Sequence, residues 1–324
     1  LRDLQRWVRA LWNIGRRLRA DRMAHGSLDL DMPETRILVD AEGRAEALER
    51  IEHDESHQLV EEFMLAANEA VARLTRARRL PSLYRVHDDP EPARLLELRE
   101  SLAASGIKVG DLSLRREFTR LLTMLATHPQ GHTLRIQLLR SLRKAEYRHT
   151  PDGHFGLHKR DYTHFTSPIR RYADLVVHRA VAAHLAGAGA GKGHDLALVN
   201  RLGDHLTKTE VNSAEAERES IKVKLVEYFD RELGREPPAR FAAIITDVRA
   251  HGFFVELTES LTFGFVPADL LPADRYDLDE AGPALTGRRH RRRYALNTRL
   301  EVVVARVDRH KRLIDFRPAP AAPV

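Results

Sequence analysis

The chain has 324 residues, enough for one large and one small domain, and it contains no cysteine, which excludes disulfide bonds and cysteine-ligated zinc. Its 53 Lys and Arg exceed its 47 Asp and Glu, which favours an acidic partner such as nucleic acid, although a surface rich in salt bridges has the same balance. No stretch approaches the ~18 continuous apolar residues of a membrane span, so we expect no membrane contact and a cytoplasmic location.

Helices are predicted over most of the chain up to about residue 236, because apolar residues recur there at three- and four-residue spacing. The first helix, over 1–23, has one apolar face formed by Leu4, Trp7, Val8, Leu11, Ile14 and Leu18. A strand is predicted at 35–40, and a second helix opens at Ser56. Further helices are predicted near 92–104, 115–126, 131–145 and 195–233, with a Gly/Ala-rich surface loop at 186–193.

The pattern changes at Pro237-Pro238, which we predict to be the boundary between a first domain at 1–236 and a second at 238–324. Five short β-rich runs follow, beginning near residues 240, 251, 262, 298 and 312. Five strands at this spacing favour a small, partly open OB-fold barrel, an architecture that commonly holds single-stranded nucleic acid. The fold class is therefore α/β (α+β), with a mainly helical first domain followed by a five-stranded barrel.

Aromatic residues alternate with small or polar ones in two of these runs. They are Phe253, Phe254, Phe263 and Phe265. Rings that face outward from such a barrel can stack on bases, whereas rings that face inward fill its core. Both placements stay open from the pattern alone, and Phe253 and Phe254 are our candidates for base contacts.

The segment 162–181 collects polar residues at the predicted start of a helix. Ser167 is the expected N-cap and Pro168 the expected first helical residue. Arg170 and Arg171 would then lie in the first turn, where cations oppose the helix dipole unless an anion sits between them and the free N–H groups. A bound phosphate would satisfy both arginines, and the alternative is a capped helix with a solvated arginine pair.

Other side chains of this segment can assist the same site. Thr166 and Ser167 can add hydroxyl donors, and His164 is grouped with them as a candidate RNA contact. Asp174 lies four residues from Arg170 and four from His178, so it can hold either side chain in place.

Several segments together resemble the ribonuclease II family, in particular its ribonuclease R-like members. The stretch HFTSPIRRYADLVVHRA at 164–180 resembles the family signature, and the strand-rich tail resembles an S1 RNA-binding domain. Further family-like segments occur in the family's order at 26–44, 59–72, 84–90, 153–175 and 216–220. The resemblance implies the second half of an RNB catalytic domain followed by S1, from an exoribonuclease that degrades single-stranded RNA one nucleotide at a time from the 3′ end.

The resemblance also implies roles for residues that match family motifs. Arg170 would contact the phosphate of the terminal nucleotide, with Arg171 beside it. Glu61 or Glu62 would lie near the terminal ribose, and Asn68 follows Glu61 on the same helix face. Many S1 domains carry a histidine after the strand that ends here in GFV, where this chain has proline, so that RNA contact is not expected.

A basic run, GRRHRRRY at 287–294, lies in a predicted loop before a barrel strand. Arg291, Arg292 and Arg293 would attract RNA phosphates there and release counterions, giving affinity without sequence choice. The alternative is a solvated charge run, which is the usual fate of such stretches.

The family's catalysis depends on an aspartate cluster that holds Mg²⁺, and the resemblance implies that those ligands lie upstream of this sequence, in the other half of the catalytic domain. The pair Asp29 and Asp31 is a substitute that we do not favour, because its family counterpart is an ordinary strand-edge segment. We therefore expect no metal ligand in this chain.

We interpret the chain as part of an exoribonuclease that acts on single-stranded RNA. The parent protein is expected to be a monomer, in which this chain contacts the upstream half of the same catalytic domain. One alternative is a non-catalytic RNA-binding protein on the same scaffold, and another is a basic helical scaffold that binds protein. An aspartate cluster upstream would distinguish the enzyme from the binder, and salt-dependent RNA affinity would distinguish both from the protein-binding scaffold.

Overall fold

The computed structural model describes residues 2–30, 32, 34–51, 54–187, 194–279 and 284–320. It contains two compact units, and neither is continuous in sequence. Unit 1 consists of Leu1–Asp31, His53–Met124 and Leu134–Ala214, and unit 2 of Met32–Glu52, Leu125–Thr133 and Glu215–Val324. These units do not divide at the domain boundary predicted at Pro237-Pro238, which stays a prediction.

The described part of the chain contains seven α-helices. They are α1 (Arg2–Ala24), α2 (Glu55–Ala77), α3 (Pro92–Ala104), α4 (Arg115–Thr127), α5 (Gly131–Ser141), α6 (Tyr172–Ala186) and α7 (Leu196–Leu233). None of these helices combines the length and the apolar composition needed to cross a bilayer. Most bounds agree with the predictions, but α5 ends at Ser141 instead of near 145, because the chain turns there into a short strand at Glu146–Arg148. Most of the predicted loop at 186–193 lies outside the described residues.

Helix α2 begins with a well-formed cap. The carboxylate of Asp54 accepts hydrogen bonds from the backbone N–H of Ser56 at 2.9 Å and of His57 at 3.1 Å, which satisfies two donors at the helix start. Helix α1 packs against α2 at Gly15, where a side chain would meet Leu59 Cδ1 at 3.1 Å. The glycine therefore permits the close approach of the two helices.

The predicted apolar face of α1 is present, but the described residues leave it uncovered. Trp7 has 66% of its surface exposed, and Leu4, Val8, Leu11 and Ile14 are exposed as well. The described core of unit 1 lies elsewhere, around Leu83, Tyr147, Ala173, Val176, Val177 and Val199. Exposed apolar stripes of this kind mark interaction sites or aggregation-prone surfaces.

Unit 2 contains the predicted barrel. Its strands are β5 (Phe241–Arg249), β6 (Gly252–Leu257), β7 (Phe263–Pro267), β11 (Arg299–Asp308) and β12 (Leu313–Pro318). All five were predicted, but the barrel is closed rather than partly open, in the order β11-β12-β7-β6-β5. Closure follows from two pairings, the antiparallel ladder of β11 with β5 and the parallel contact of β12 with β7.

The described residues form seven further strands that are short or local, and only the one at 34–39 was predicted. Unit 2 adds the hairpin of β1 (Glu34–Val39) with β2 (Ala45–Ile51), and unit 1 the pair β3 (Tyr84–Val86) and β4 (Glu146–Arg148). A three-stranded sheet in unit 2, in the order β10-β9-β8, consists of β8 (Tyr276–Leu278), β9 (Ala284–Gly287) and β10 (Arg293–Ala295). Runs of three or four residues are too short to show a clear period of two.

Candidate nucleic-acid site

Arg170 lies at the end of a tight turn in unit 1, and not inside a helix as predicted. The N–H groups of Arg170 and Arg171 both bond to the carbonyl oxygen of Ser167, at 3.3 and 3.1 Å. Arg171 then adopts an extended backbone, with φ −124° and ψ 116°, so that α6 begins only at Tyr172. Ser167-Pro168 is therefore the start of a turn, and the predicted helix start is wrong by four residues.

Asp174 holds this turn from inside the fold. Its side chain is fully buried, and its carboxylate accepts a hydrogen bond from the Ser167 N–H at 2.7 Å. The same carboxylate forms an ion pair with Arg171, which donates a hydrogen bond from Nη2 at 2.9 Å and brings Nε within 2.8 Å. The expectation that Asp174 holds Arg170 or His178 is wrong, since Arg171 occupies it.

The two arginines therefore have different environments. Arg171 neutralises a buried carboxylate, an arrangement in which breaking the pair is costly. Arg170 is exposed, and it has no ion-pair partner among the residues that the structure describes. Beside it, Ile169 is 99% exposed. Of the pair, Arg170 is the guanidinium that an incoming phosphate can reach.

Asn68 supports the segment that leads into the turn. Its amide donates to the Tyr162 hydroxyl at 3.1 Å and accepts from the Phe165 N–H at 3.0 Å. From the other side, His178 Nε2 donates to the Phe165 carbonyl oxygen at 2.8 Å, and its ring stacks on that of Phe165 at 4.0 Å. Asn68 is buried and both ends of its amide are engaged, so the predicted RNA contact is wrong and its role is structural.

His164 is also directed inward. Its Nδ1 lies 2.9 Å from the Tyr147 hydroxyl. Burial, and then the nearby cation of Arg171, lower the pKa of His164 to about 2, so the ring is neutral and offers RNA no positive charge. Thr166 Oγ1 is buried without a hydrogen-bond partner in the described residues, and Ser167 is partly exposed. Of the candidate RNA contacts in this segment, Arg170 is exposed and Ser167 is partly exposed, and both stay predictions.

The two candidate glutamates on α2 are distinguished by burial. Glu62 is 3% exposed and pairs with the buried Arg22, whose Nε lies 3.2 Å from both carboxylate oxygens and whose Nη2 lies 2.5 Å from one. Arg22 also donates to Ser27 Oγ at 2.9 Å. Glu61 is half exposed, with its carboxylate 3.6 Å from Arg22. Glu61 is therefore the glutamate whose carboxylate solvent reaches more readily.

The barrel places its aromatic residues on two sides. Phe253 is fully buried, and its ring stacks on that of Tyr294 with centroids 5.1 Å apart, so its predicted base contact is wrong. Phe254 is 41% exposed and contacts Phe265 at 5.0 Å. His251 contacts the other side of this group, 5.4 Å from Phe265. These three outward rings, the aromatic platform, form a surface on which bases can stack.

His251 was missed as a candidate, although the sequence carries a signal for it. Gly252 has a φ of +149° and begins β6, and a side chain there would lie 2.5 Å from the Phe265 ring. The glycine therefore lets the Phe265 ring lie against the backbone next to His251. A glycine between a histidine and two phenylalanines is the available clue.

The described residues do not fit a magnesium site of the expected kind. Asp29 forms an ion pair with Arg19 at 3.3 Å, and Asp31 lies outside the described residues. Within the described ranges, no group of three or more His, Asp or Glu side chains is placed to hold a metal ion.

Comparisons with known proteins identify two domain families in the chain. The family model of the RNB domain matches residues 2–187, and that of the S1 RNA binding domain matches 236–317. The first match contains the Arg170 turn and the second contains the aromatic platform.

Relatives and solved structures match along nearly the whole chain. Ribonuclease R of Aquifex aeolicus is 35% identical over 95% of this chain and 44% of its own length, and that of Escherichia coli is 32% identical over 97% and 39%. The structure of Mycoplasma genitalium RNase R in complex with ribose methylated single-stranded RNA has a TM-score of 0.79 at 26% identity, over 96% of this chain and 49% of that one. The chain thus spans less than half the length of the relatives it matches. It belongs to the RNB-domain family, carries an S1 RNA binding domain after the RNB domain, and resembles ribonuclease R over nearly its whole length.

Proposed function

We propose that this chain is the 3′-end-binding part of a 3′-to-5′ exoribonuclease that hydrolyses single-stranded RNA and releases nucleoside monophosphates. The observation that carries the proposal is the exposed Arg170, which has no ion-pair partner among the described residues, on a turn held by a buried aspartate. Membership of the ribonuclease R-like group supports the reaction class. Magnesium dependence belongs to the same proposal, with the ligands on the upstream half of the catalytic domain.

Arg170 is proposed to bind the phosphate next to the 3′ end of the RNA. Its planar guanidinium can donate two parallel hydrogen bonds to phosphate oxygens. The turn is fixed by Asp174 and by the contacts of Phe165, so the arginine would need little reorganisation as charge develops on the attacked phosphate. Glu61 is proposed as the glutamate near the terminal ribose, because the carboxylate of Glu62 is buried against Arg22.

The exposed apolar stripe of α1 is proposed to contact the upstream half of the catalytic domain. Trp7, Leu11 and Ile14 are too large and too exposed to remain in water without a free-energy cost. Because the metal ligands are proposed to lie on the upstream half, this chain by itself is expected to bind single-stranded RNA through Arg170 and the aromatic platform without cleaving it.

The test compares Arg170→Ala with Arg179→Ala, since Arg179 is another exposed arginine, seven residues from Tyr172 and donating to its hydroxyl. In the intact parent enzyme, single-turnover hydrolysis of 3′-labelled RNA should slow by ~10²–10³-fold in Arg170→Ala, because one preorganised donor is lost. RNA affinity should fall much less, and Arg179→Ala should behave as wild type. Unchanged hydrolysis in Arg170→Ala would remove this residue from the site.

A further inference from the structure

The turn between β9 and β10 is held by a single carboxylate. Asp274 accepts hydrogen bonds from three backbone N–H groups, those of Arg275 at 2.7 Å, Arg289 at 2.9 Å and His290 at 2.8 Å. A further bond, from the Gly287 N–H to the Arg292 carbonyl oxygen at 2.8 Å, closes the turn. The backbone of the basic run is therefore ordered, although all its side chains from 288 to 293 are exposed.

The carboxylate of Asp274 is occupied by the backbone and not by arginine side chains. The N–H groups of His290, Arg289 and Arg275 stabilise its charged form, so the pKa of Asp274 lies below its ordinary value. These backbone donors engage both oxygens, with Arg275 and Arg289 donating to Oδ1 and Arg289 and His290 donating to Oδ2. Asp274 thus shapes the turn without forming an ion pair with the arginines that the turn presents.

Two of the five arginines have acidic partners of their own. Arg288 forms a fork with Asp277, at 2.5 and 2.7 Å, and Arg293 lies 3.8 Å from Asp279. The other three, Arg289, Arg291 and Arg292, have no ion-pair partner in the described part of the chain. Within the described ranges, the run therefore separates into paired arginines at its ends and arginines without an ion-pair partner in the turn.

We propose that Arg289, Arg291 and Arg292 form a binding surface for the phosphate backbone of RNA, and that Asp274 is the residue that positions it. The inference rests on the proposed function, because it assigns a second RNA contact to the same protein. The sequence predicted Arg291, Arg292 and Arg293 as the phosphate contacts, and the proposal replaces Arg293, which has an acidic partner, with Arg289.

The chemistry of the turn favours nucleic acid over protein as the partner. Residues 288–293 are all arginine or histidine, with no apolar side chain that could form the core of a protein interface. Guanidinium groups match phosphate oxygens in geometry and charge. Three free cations within four positions suit a regularly charged backbone and read no base edge, so binding should be indifferent to sequence.

The test measures the affinity of the whole chain for a labelled single-stranded oligouridylate over a series of NaCl concentrations. The triple variant Arg289→Gln, Arg291→Gln, Arg292→Gln should lower the slope of log affinity against log salt by roughly 2, at about 0.7 per phosphate contact. The matched control, Arg288→Gln with Arg293→Gln, removes arginines that already have acidic partners and should change the slope by less than about 0.7.

Asp274→Ala distinguishes positioning from simple charge. Removing a negative charge beside three arginines should tighten RNA binding if charge alone mattered. The positioning role predicts weaker binding instead, together with faster amide hydrogen exchange at Arg289 and His290. The triple variant should keep the slow exchange of these amides, because it leaves Asp274 and the backbone in place.

Each outcome decides one part of the proposal. A wild-type chain that binds no RNA would overturn the proposed function and this inference together. Wild-type binding with an unchanged salt slope in the triple variant would overturn only the phosphate-binding surface, and tighter binding by Asp274→Ala would overturn the positioning role. Equal displacement of the RNA by polyglutamate would show a general anion surface and would reject RNA as the specific partner.

Discussion

Glu62→Gln should destabilise the contact of α1 with α2 by about 3 kcal/mol, the low end of the range for breaking a buried ion pair. Glu62 is almost fully buried, and Arg22 contacts its carboxylate through three N···O distances of 2.5 to 3.2 Å. Glutamine fills the same volume but leaves the buried guanidinium without its charge partner. The low end applies because Ser27 and the Glu61 carboxylate, at 3.6 Å, still contact Arg22.

The two tryptophans of the chain provide a local probe for this change. Trp7 and Trp12 both lie on α1, the helix that carries Arg22. Tryptophan fluorescence in a urea titration therefore follows α1 itself, which matters because a chain with two units need not unfold in one step. With a typical slope of about 2 kcal/mol per molar urea, the midpoint should fall by about 1.5 M.

Two further variants serve as controls. Glu61→Gln removes a half-exposed carboxylate and should cost about 1 kcal/mol or less. The double variant Arg22→Met, Glu62→Leu removes both charges and should lie within about 1 kcal/mol of wild type, because no buried charge is left unpaired. The reasoning fails if Glu62→Gln leaves the midpoint unchanged, or if Glu61→Gln costs as much as Glu62→Gln.

Two other predictions follow from burial. Phe253→Ala should cost about 3–5 kcal/mol of stability through the cavity it leaves in the barrel core. Phe254→Ala should cost less than about 1 kcal/mol of stability but should weaken RNA binding by ~1–3 kcal/mol. Calorimetry measures the stability of each variant, and RNA titrations measure its affinity. The pKa values of His154 and His164 are lowered by burial to about 3 and about 2, so the unfolded chain binds protons that the folded chain does not between those values and about pH 6.5. The contribution of these two histidines to the free energy of unfolding should therefore be complete above pH 6.5. Below that pH it should fall by about 1.4 kcal/mol per pH unit for each histidine. Urea midpoints at pH 7.5 and 5.5 should show a smaller loss in His164→Gln, and an equal loss would contradict the assignment.

The barrel was predictable because its strands are long enough to show alternation and are bounded by turn residues. The alternation in β6 places Phe253 and Phe254 on opposite faces, but it does not say which face is the interior. The structure settles this through pairing, since Phe253 packs with Val255 and Leu257 in one core. The alternation of side chains therefore predicted the strand, but it did not predict which of the two rings faces the barrel interior.

The Arg170 turn was harder to predict for a different reason. Its motif was visible, but a Ser-Pro pair before a helix predicts an N-cap. The hydrogen bonds to the Ser167 carbonyl and the tertiary contact of Asp174 with the Ser167 N–H show that the chain turns first. The ion pair of Arg22 with Glu62 joins residues 40 positions apart, beyond any local pattern. Sequence spacing thus indicated the chemical groups, whereas tertiary contacts decided which of them face solvent.

Closure of the barrel has a consequence for how the protein associates with copies of itself. A closed ladder leaves no row of unpaired backbone groups, so β5, β6, β7, β11 and β12 offer no template for strand addition. The outer strands of the neighbouring sheet, β8 and β10, are only three residues long, and Arg293 on β10 adds a charge that discourages pairing. Among the described residues, the apolar stripe of α1 is therefore a stronger source of unwanted self-association than the barrel, and charged substitutions on α1, rather than changes in the barrel, should keep the protein in solution.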